Sequence, residues 1–529
     1  MSEKGAMLPS EEKYLSSISK DRKPNLDKAY ELYYSLRATE TFKNQLCDKM
    51  YKCGHLTEFE ENDPYYKKKQ VIIPDDADLD LKQFHLIGKD GNPTGVSDDA
   101  IFQYYMDAYD LFVIGGTVYY YSSGVYLIDS SGAWLKTEIR KKILPKFRKS
   151  TTIERVYKLF IQAYELQCSA EELNRVQPHW ILFKDAYYDC IKGTKRFHDP
   201  RYRSINMIPH TYESKVFSTG AVDRWLEFIA PDPDDREMLL EYCGYCMTVD
   251  TRQQKFLILV GVGGSGKSTL IKLLEYVIGR ENVSNVSLKE LPTRFASYEL
   301  MGKLLNSCAD LEIDALNDVS LLKKVLGEDQ IRGERKNHDA FSFKSYAKMI
   351  FSTNELPVIL SEKSNGFFRR VLILTMNRMP DAQVQDFFEE LKEDVDCFIH
   401  RCMDALQRMY ARGHILESQN SINAVKAMRC ESDSVEGWIN ECCEIVGAAK
   451  EERSNLYWSY ERYCNDSDRT PLSRNNFYKS LRVKNYPEYR SGNWRGFCGI
   501  RIGKTDAKTD AKTDALDPGD PDDSLNPFR

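Results

Sequence analysis

Four glycines, a lysine and a serine form the most distinctive chemical pattern in the sequence. They lie in GVGGSGKS, residues 261–268, which has the spacing G-x-x-x-x-G-K-[ST]. Glycines let a backbone turn its N–H groups towards phosphate oxygens, and the start of a helix favours negative charge at the same place. The pattern predicts a loop that binds the phosphates of ATP or a close relative.

Side chains in this loop are expected to add to the contacts of the backbone. Lys267 is expected to reach the β and γ phosphates, and the Ser268 hydroxyl is expected to bind Mg²⁺. The predicted cofactors are therefore ATP and Mg²⁺. The nucleotide-binding set comprises Gly261, Gly263, Gly264, Ser265, Gly266, Lys267, Ser268 and Thr269.

Acidic and amide side chains follow two strand-like segments downstream of this loop. Asp310 and Glu312 end KLLNSCADLE, and Asn354 ends YAKMIFSTN. In α/β sheets, ligands bind at the carboxyl ends of the strands. We expect one carboxylate to bind Mg²⁺ and the other to orient the attacking water; Asp310 is favoured for the metal, but the reverse assignment stays open. Asn354 is expected to hydrogen-bond the γ-phosphate or the water.

The segments that carry these residues alternate between strand and helix patterns. A short apolar run at residues 256–260 precedes the loop, and helical apolar spacing begins at Thr269. DVSLLKKVLG has a helical pattern, RRVLILTM has a strand pattern, and a long helical stretch begins at residue 381. Upstream, residues 221–248 are expected to form two helices separated by a Pro/Asp turn. The alternation predicts an α/β domain with a mainly parallel sheet.

A hairpin is predicted in GEDQIRGERKNHDAFSFKSYAKM, between the two strands that end in polar residues. Apolar residues, Ile331 on one side and Phe341 with Phe343 on the other, flank the basic and polar tip ERKNHD. The tip includes Lys336 and His338.

The order of these motifs resembles that of the superfamily 3 helicases of phages, plasmids and large DNA viruses. The phosphate loop is followed by LLNSCADLE, LKKVLGEDQIRGERKNHDAFSF, KMIFSTN and GFFRRVLIL. The match is to the phage/plasmid branch, which also includes the poxvirus primase-helicase, and covers about residues 100 to 503. It implies an AAA+-like phosphate-loop ATPase core, preceded by an α+β/helical domain and followed by a winged helix.

The resemblance also implies a homo-hexameric ring, with ATP between subunits and single-stranded DNA in the central pore. Lys336 and His338 match the tip positions that grip a DNA phosphate. Arg369 and Arg370 match the arginine region that reaches the neighbouring subunit's site and stabilises charge on the transferred phosphoryl group. Which of the two arginines does so stays open.

Basic residues are concentrated near the carboxyl terminus, although the formal net charge of the chain is −6. Residues 473–503 carry basic side chains against a single acid, Glu488. Ser473 is expected to cap a helix, with further cations on the hairpin that follows it. Duplex DNA is the partner expected at this winged helix, through Arg474, Lys479 and Arg482 on the helix and Arg490 and Arg495 on the hairpin.

The predicted domain organisation follows from these patterns and from shifts in composition. Asp76, Asp78 and Asp80 are alternating carboxylates that could bind two metals, as in a primase. We predict that this stretch is an acidic linker instead. A separate primase or polymerase is then a candidate partner. The segments are an N-terminal helical region with this linker (1–95), a helicase-associated domain (96–220), a helical neck (221–250), the ATPase core (251–415), the winged helix (416–503) and a disordered acidic tail (504–529).

The predicted function is that of an ATP-dependent replicative DNA helicase of a phage, plasmid or mobile element. The alternative is an origin-binding initiator ATPase that remodels DNA without processive unwinding. A phosphate-loop switch or kinase would leave the basic hairpin and the paired arginines without a role.

Localisation is predicted from cysteine usage and apolar runs. The 14 cysteines show no disulfide framework, and no apolar run suits a signal peptide or a membrane span. We expect a soluble cytoplasmic protein in a bacterial host cell, with no membrane partner.

Overall fold

The computed structural model describes most of the chain in two units. The described residues are 9–19, 24–33, 80–212, 218–293, 295–309, 319–334, 341–356, 365–379, 387–467, 469–492 and 494–503, with residues 45, 46, 49, 50, 53 and 311. The first unit comprises residues 1–357 and 364–425, and the second comprises residues 358–363 and 426–529.

The first unit mixes helices with short strands. Its elements in chain order are α1 (Pro9–Ser17), α2 (Leu26–Tyr33), β1 (His85–Ile87), β2 (Pro93–Val96), α3 (Asp98–Ala108), β3 (Leu111–Ile114), β4 (Thr117–Ser122), β5 (Val125–Asp129), α4 (Ala133–Lys142), α5 (Ser150–Gln162), β6 (Trp180–Leu182), β7 (Tyr187–Asp189), β8 (Thr194–Arg196), α6 (Ala221–Ile229), α7 (Pro233–Cys246), β9 (Phe256–Val260), α8 (Lys267–Ile278), β10 (Val283–Ser284), β11 (Leu305–Cys308), α9 (Ser320–Leu326), β12 (Gln330–Gly333), β13 (Phe341–Lys344), β14 (Lys348–Thr353), α10 (Asn365–Phe368), β15 (Val371–Thr375), α11 (Phe387–Glu393) and α12 (Val395–Arg412).

The remaining elements begin at the boundary between the units. They are α13 (Gln419–Ser432), α14 (Ser434–Cys442), β16 (Cys443–Glu452), α15 (Arg453–Asp466), α16 (Arg474–Val483), β17 (Glu488–Ser491) and β18 (Trp494–Ile502). No helix of the described ranges has both the length and the apolar character needed to cross a bilayer.

A five-stranded sheet forms the core of the first unit, in the order β10, β11, β14, β9, β15. Every neighbouring pair is parallel, so the prediction of a mainly parallel sheet is confirmed. All residues of β9 and β14 are buried, as expected for central strands covered on both faces. Because the strands are parallel, their carboxyl ends meet at one edge of the sheet.

Helices α6 and α7 confirm the two helices predicted before the phosphate loop. Asp232 precedes α7 and caps it, since its side chain accepts hydrogen bonds from the backbone N–H groups of Asp234 and Asp235. Helix α7 approaches α12 closely at Gly244, where a Cβ atom would lie 2.5 Å from the Cys402 carbonyl oxygen. A larger residue at this position would push the two helices apart.

The described segment before these helices contains three small antiparallel sheets. Strands β1 and β2 form the first, β3, β4 and β5 the second, and β6, β7 and β8 the third. Strands β3, β4 and β5 are rich in aromatic and β-branched residues, which favour the strand conformation. Asp80 lies at the start of this region, where its carboxylate accepts a hydrogen bond from the Lys82 N–H and caps a short turn.

Strands β12 and β13 confirm the flanks of the predicted hairpin. They pair antiparallel with Ile331 opposite Phe343, and both of these side chains are buried. Residues 335–340 lie outside the described residues, so the predicted tip positions Lys336 and His338 do as well.

The second unit contains a three-stranded antiparallel sheet in the order β16, β18, β17. Helices α14, α15 and α16 supply the aromatic core, in which Trp438, Tyr460 and Phe477 are fully buried. Ser473 occupies the N-cap position of α16 as predicted, but its hydroxyl makes no capping hydrogen bond. The predicted helix and the hairpin after it are both present.

Candidate functional site

The glycine-rich segment joins the buried strand β9 to helix α8. Gly264 and Gly266 have φ angles of 83° and 97°, a region that favours glycine. A Cβ atom at Gly261 would lie 2.0 Å from the Met376 carbonyl oxygen, because Met376 follows β15 and packs against the loop. Only glycine therefore suits these three positions.

Gly263 differs from the other glycines of the loop. Its φ angle is not positive, and a Cβ atom there would meet nothing within 4 Å. The described chain therefore does not require glycine at this position. A glycine at this exposed position would let a phosphate group approach the backbone closely.

The side chain of Lys267 turns back into the loop. It is 9% exposed, and its Nζ donates hydrogen bonds to the carbonyl oxygens of Gly261 and Val262. The same Nζ lies 3.3 Å from Oδ1 of Asn354, at the carboxyl end of β14. Two residues that were selected by separate sequence patterns are therefore in direct contact.

Three hydroxyl side chains complete the predicted loop set. Ser265 is buried, and its Oγ has no hydrogen-bond partner among the described residues. A buried hydroxyl without a partner costs about 1–3 kcal/mol, so this group suits a ligand with polar atoms. Ser268 is exposed and Thr269 is partly exposed at the start of α8, which leaves the Ser268 hydroxyl open to a metal ion.

The two predicted carboxylates, Asp310 and Glu312, lie outside the described residues. Leu311 is described: it is buried, and its N–H donates a 2.7 Å hydrogen bond to the carbonyl oxygen of Ser352, two residues before Asn354. No group of His, Cys, Asp or Glu side chains within the described ranges could hold a metal ion. Roles for Asp310 and Glu312 remain predictions.

Arg369 and Arg370 lie at the amino-terminal ends of the sheet strands, whereas the phosphate loop lies at their carboxyl ends. They precede β15, whose first residue, Val371, is paired with Phe256, the first residue of β9. The loop follows the last residue of β9, and a strand of 5 residues spans about 16 Å. The structure therefore does not bring these arginines to the phosphate loop of the same chain.

Gln254 contacts both arginines and was not predicted. Its Oε1 accepts hydrogen bonds from Nη2 of Arg369 and Nη2 of Arg370, at 3.3 and 3.0 Å. Gln254 has a φ angle of 52°, which is uncommon for a residue with a side chain. Burial, together with the charge of Arg369, lowers the pKa of Arg370. The shared acceptor holds two like charges side by side.

Helix α16 carries the predicted DNA-binding cations of the second unit. Arg474, Lys479 and Arg482 are all exposed. Lys479 makes no hydrogen bond or ion pair with the described residues, whereas the guanidinium of Arg474 lies 5.3 Å from the centroid of the Tyr457 ring. Nε of Arg482 lies 2.6 Å from Oε1 of Glu488 on β17, so this charge is partly compensated.

Two family models match parts of the chain. One is described as D5 N terminal like and matches residues 109–231. The other is a family of unknown function (DUF5906) and matches residues 259–370, which include the whole phosphate loop, Asn354 and both arginines.

Similar proteins were found among curated sequences and solved structures. A protein of Acanthamoeba polyphaga mimivirus named "Putative helicase" is 28% identical over 201 residues; this match covers 36% of the present chain and 20% of the mimivirus protein. Two apo structures of the NrS-1 C-terminal region align with 76% of this chain and 99% of theirs, at 13% identity and TM-scores of 0.46 and 0.47. The D5 match and the mimivirus relative fit a D5-like primase-helicase family.

Proposed function

We propose that this chain is an ATP-dependent DNA helicase that acts in replication. The observation that carries the proposal is the contact between Lys267 and Asn354 at the carboxyl edge of a parallel sheet. It joins a phosphate-binding loop to a polar strand end, which is the arrangement that ATP hydrolysis needs. The similarity to a mimivirus protein with a helicase name supports a nucleic acid as the polymer acted on.

The phosphate loop is the proposed ATP site. Backbone N–H groups of residues 261–266 and the ammonium of Lys267 hold the phosphates. Mg²⁺, held by Ser268 and Asp310, would neutralise charge on the phosphate oxygens. Glu312 orients the water for attack, and Asn354 exchanges its bond with Lys267 for one with the γ-phosphate or the water. The state of the nucleotide is thereby communicated to β14.

A ring of subunits is the proposed assembly. Arg369 and Arg370 lie about one strand length from the phosphate loop of their own chain, so a role in hydrolysis requires the site of a neighbouring subunit. A homo-hexamer is the assembly that the helicase resemblance implies. In this arrangement Gln254 orients the arginines towards the neighbour.

Movement on DNA is assigned to the hairpin of β12 and β13. This hairpin immediately precedes β14 in the chain, so a displacement of β14 on hydrolysis can move the hairpin. Lys336 and His338 at the tip would grip a phosphate of single-stranded DNA in the pore. Helix α16 would bind duplex DNA through Arg474, Lys479 and Arg482.

An origin-binding initiator is the second candidate function. The exposed cations of α16 favour it, because a helix with exposed basic side chains could bind a specific duplex. In that case the chain would hydrolyse ATP and distort a duplex, but would not separate the strands of a long fork.

A separation-of-function experiment tests the proposal. Lys336→Ala and His338→Ala should leave basal ATP hydrolysis and assembly nearly intact, because these residues are not part of the phosphate loop. They should abolish strand separation of a forked DNA, because the hairpin could no longer hold a phosphate. Lys272→Ala, on the exposed side of α8, is the matched control and should retain both activities. Normal unwinding by both hairpin variants would refute the pore-hairpin mechanism.

A further inference from the structure

The hairpin of β17 and β18 presents two chemically different faces. Arg490 is directly opposite Arg495, and Ser491 is directly opposite Trp494. Directly opposite residues share a face, and neighbouring residues along a strand alternate between faces. Arg490 and Arg495 therefore share the face of the buried Phe497, and Trp494 shares the other face with Tyr489.

The arginine face has an excess of positive charge at the end of the hairpin. Like charges directly opposite each other destabilise an antiparallel pair, so Arg490 and Arg495 lower the stability of the isolated hairpin. The acid on this face, Glu488, already accepts hydrogen bonds from Arg482 and Arg453 at 2.6 and 2.8 Å. An anionic partner that contacts both arginines would remove the repulsion.

The other face of the hairpin is aromatic. Trp494 is 60% exposed, although a residue of this type usually buries most of its surface. The Tyr489 ring packs against Gly496, where a Cβ atom would lie 2.5 Å from Cε1 of the ring. Nζ of Lys450 lies 5.3 Å from the centroid of the same ring. Trp494 and Tyr489 are diagonal neighbours on this face, and the ammonium of Lys450 lies over the Tyr489 ring.

We propose that this hairpin binds single-stranded nucleic acid, with an unpaired base stacked on Trp494 beside Tyr489 and phosphates bound by Arg490 and Arg495. An exposed aromatic ring can stack on a base whose face is free, which is the case in a single strand. Paired arginines supply the charge that the backbone of that strand requires. This inference rests on the proposed function, since it places the first unpaired base next to the duplex bound by α16.

The test compares two DNA probes on the full chain. The probes are a fluorescent poly-dT oligonucleotide and a blunt duplex of the same length, and the chain carries Lys336→Ala and His338→Ala to remove the proposed pore contact. Trp494→Ala should weaken oligonucleotide binding by about 5- to 150-fold, the range for the loss of one stacked base. Duplex binding should change by less than about twofold.

Matched substitutions separate stacking from folding. Trp494→Phe keeps an aromatic face and should retain most of the oligonucleotide affinity, whereas Trp494→Leu keeps an apolar side chain and should lose it. Trp458 is 50% exposed on α15 of the same unit, so Trp458→Ala is the control and should bind like the parent. Equal thermal unfolding of all variants shows that the unit remains folded.

Several outcomes would overturn the inference. Parallel loss of oligonucleotide and duplex binding in Trp494→Ala would make the hairpin a duplex contact instead. Unchanged binding by Trp494→Ala and Trp494→Leu would exclude stacking, as would equal losses in Trp458→Ala. Trp494-dependent oligonucleotide binding, combined with failure of the parent chain with Lys336 and His338 intact to unwind forks with ATP, would refute the proposed function and leave this inference standing.

Discussion

Nζ of Lys267 and Oδ1 of Asn354 lie 3.3 Å apart, so the phosphate loop after β9 and the end of β14 share a hydrogen bond. The two residues are 87 positions apart in the chain. Their contact results from the pairing of Thr353 with Val260, which brings the two strand ends to the same level of the sheet. A change at Asn354 should therefore affect ATP turnover.

Asn354→Ala should lower kcat for ATP hydrolysis by about 10- to 150-fold, the effect of losing one hydrogen bond to a charged group in the transition state. KM for ATP should change little, because the loop and Lys267 remain. Asn354→Asp should instead raise KM, since a carboxylate would lie beside the phosphates. Steady-state kinetics, with Lys272→Ala as the control, provide the measurement. Parent-like turnover by Asn354→Ala would show that this strand end has no role in hydrolysis.

Mixtures of inactive variants test the position of the arginines. Arg369→Ala and Arg370→Ala leave the phosphate loop intact, and Lys267→Ala leaves the arginines intact. If the arginines act on a neighbouring site, mixing one of the arginine variants with Lys267→Ala should restore part of the ATPase activity at mixed interfaces. The ATPase rate is measured as a function of the mixing ratio, with assembly checked by light scattering. No recovery at any ratio, in assembled protein, would contradict a shared site.

Gln254→Ala extends the same experiment to the residue that the two arginines share. Loss of the common acceptor should let the guanidinium groups separate, so kcat should fall while KM for ATP stays the same. Gln254→Asn keeps an amide and tolerates a positive φ angle, and should be less affected than Gln254→Ala.

The salt dependence of duplex binding tests the α16 surface. Lys479 has no ion-pair partner among the described residues, so Lys479→Ala should reduce the slope of log affinity against log salt by about one unit. Arg482→Ala should reduce the slope by less, because Glu488 already compensates part of this charge. Arg501 is paired with Glu444 on β16, and Arg501→Ala is the control. Equal slopes for Lys479→Ala and the parent would place the duplex elsewhere.

Lys348 gives a pH-dependent stability. Burial lowers the pKa of this lysine from 10.5 to about 8, and its Nζ donates a hydrogen bond to the Thr248 carbonyl oxygen. Below about pH 8 both folded and unfolded chains are protonated here, so Lys348 adds no pH dependence. Between about pH 8 and 10.5 the unfolded chain binds more protons, so the free energy of unfolding should rise with pH.

Lys348→Met should remove this rise, which is on the order of 1–3 kcal/mol. Denaturant unfolding of the parent and Lys348→Met at several pH values measures the difference, and Lys272→Met serves as the control. Parallel pH dependence of the parent and Lys348→Met would mean that Lys348 keeps an ordinary pKa.

The sequence predicted the features that depend on local patterns. The phosphate loop has a fixed spacing, and the strands before the loop and before Asn354 are short apolar runs. Because ligands bind at the carboxyl ends of the strands in α/β sheets, Asn354 was expected at the site, where it contacts Lys267. The helices predicted before β9 and the flanks of the β12 and β13 hairpin also follow from local periodicity.

Features that depend on register between distant segments were not predictable in this way. Gln254 meets Arg370 because β9 and β15 pair in register, although 116 positions separate the two residues in the chain. The pairing of Arg453 with Glu488 depends on how α15 packs beside β17. No periodic pattern in the sequence marks either contact.

ATP-dependent unwinding of a forked DNA by the purified chain tests the central claim most directly. The parent protein and Lys272→Ala should separate the strands in the presence of ATP and Mg²⁺, and hydrolyse ATP at the same time. Lys267→Ala should do neither, because the phosphates lose their cationic partner. ATP hydrolysis by the parent without strand separation would contradict the helicase account and favour an initiator that only remodels DNA.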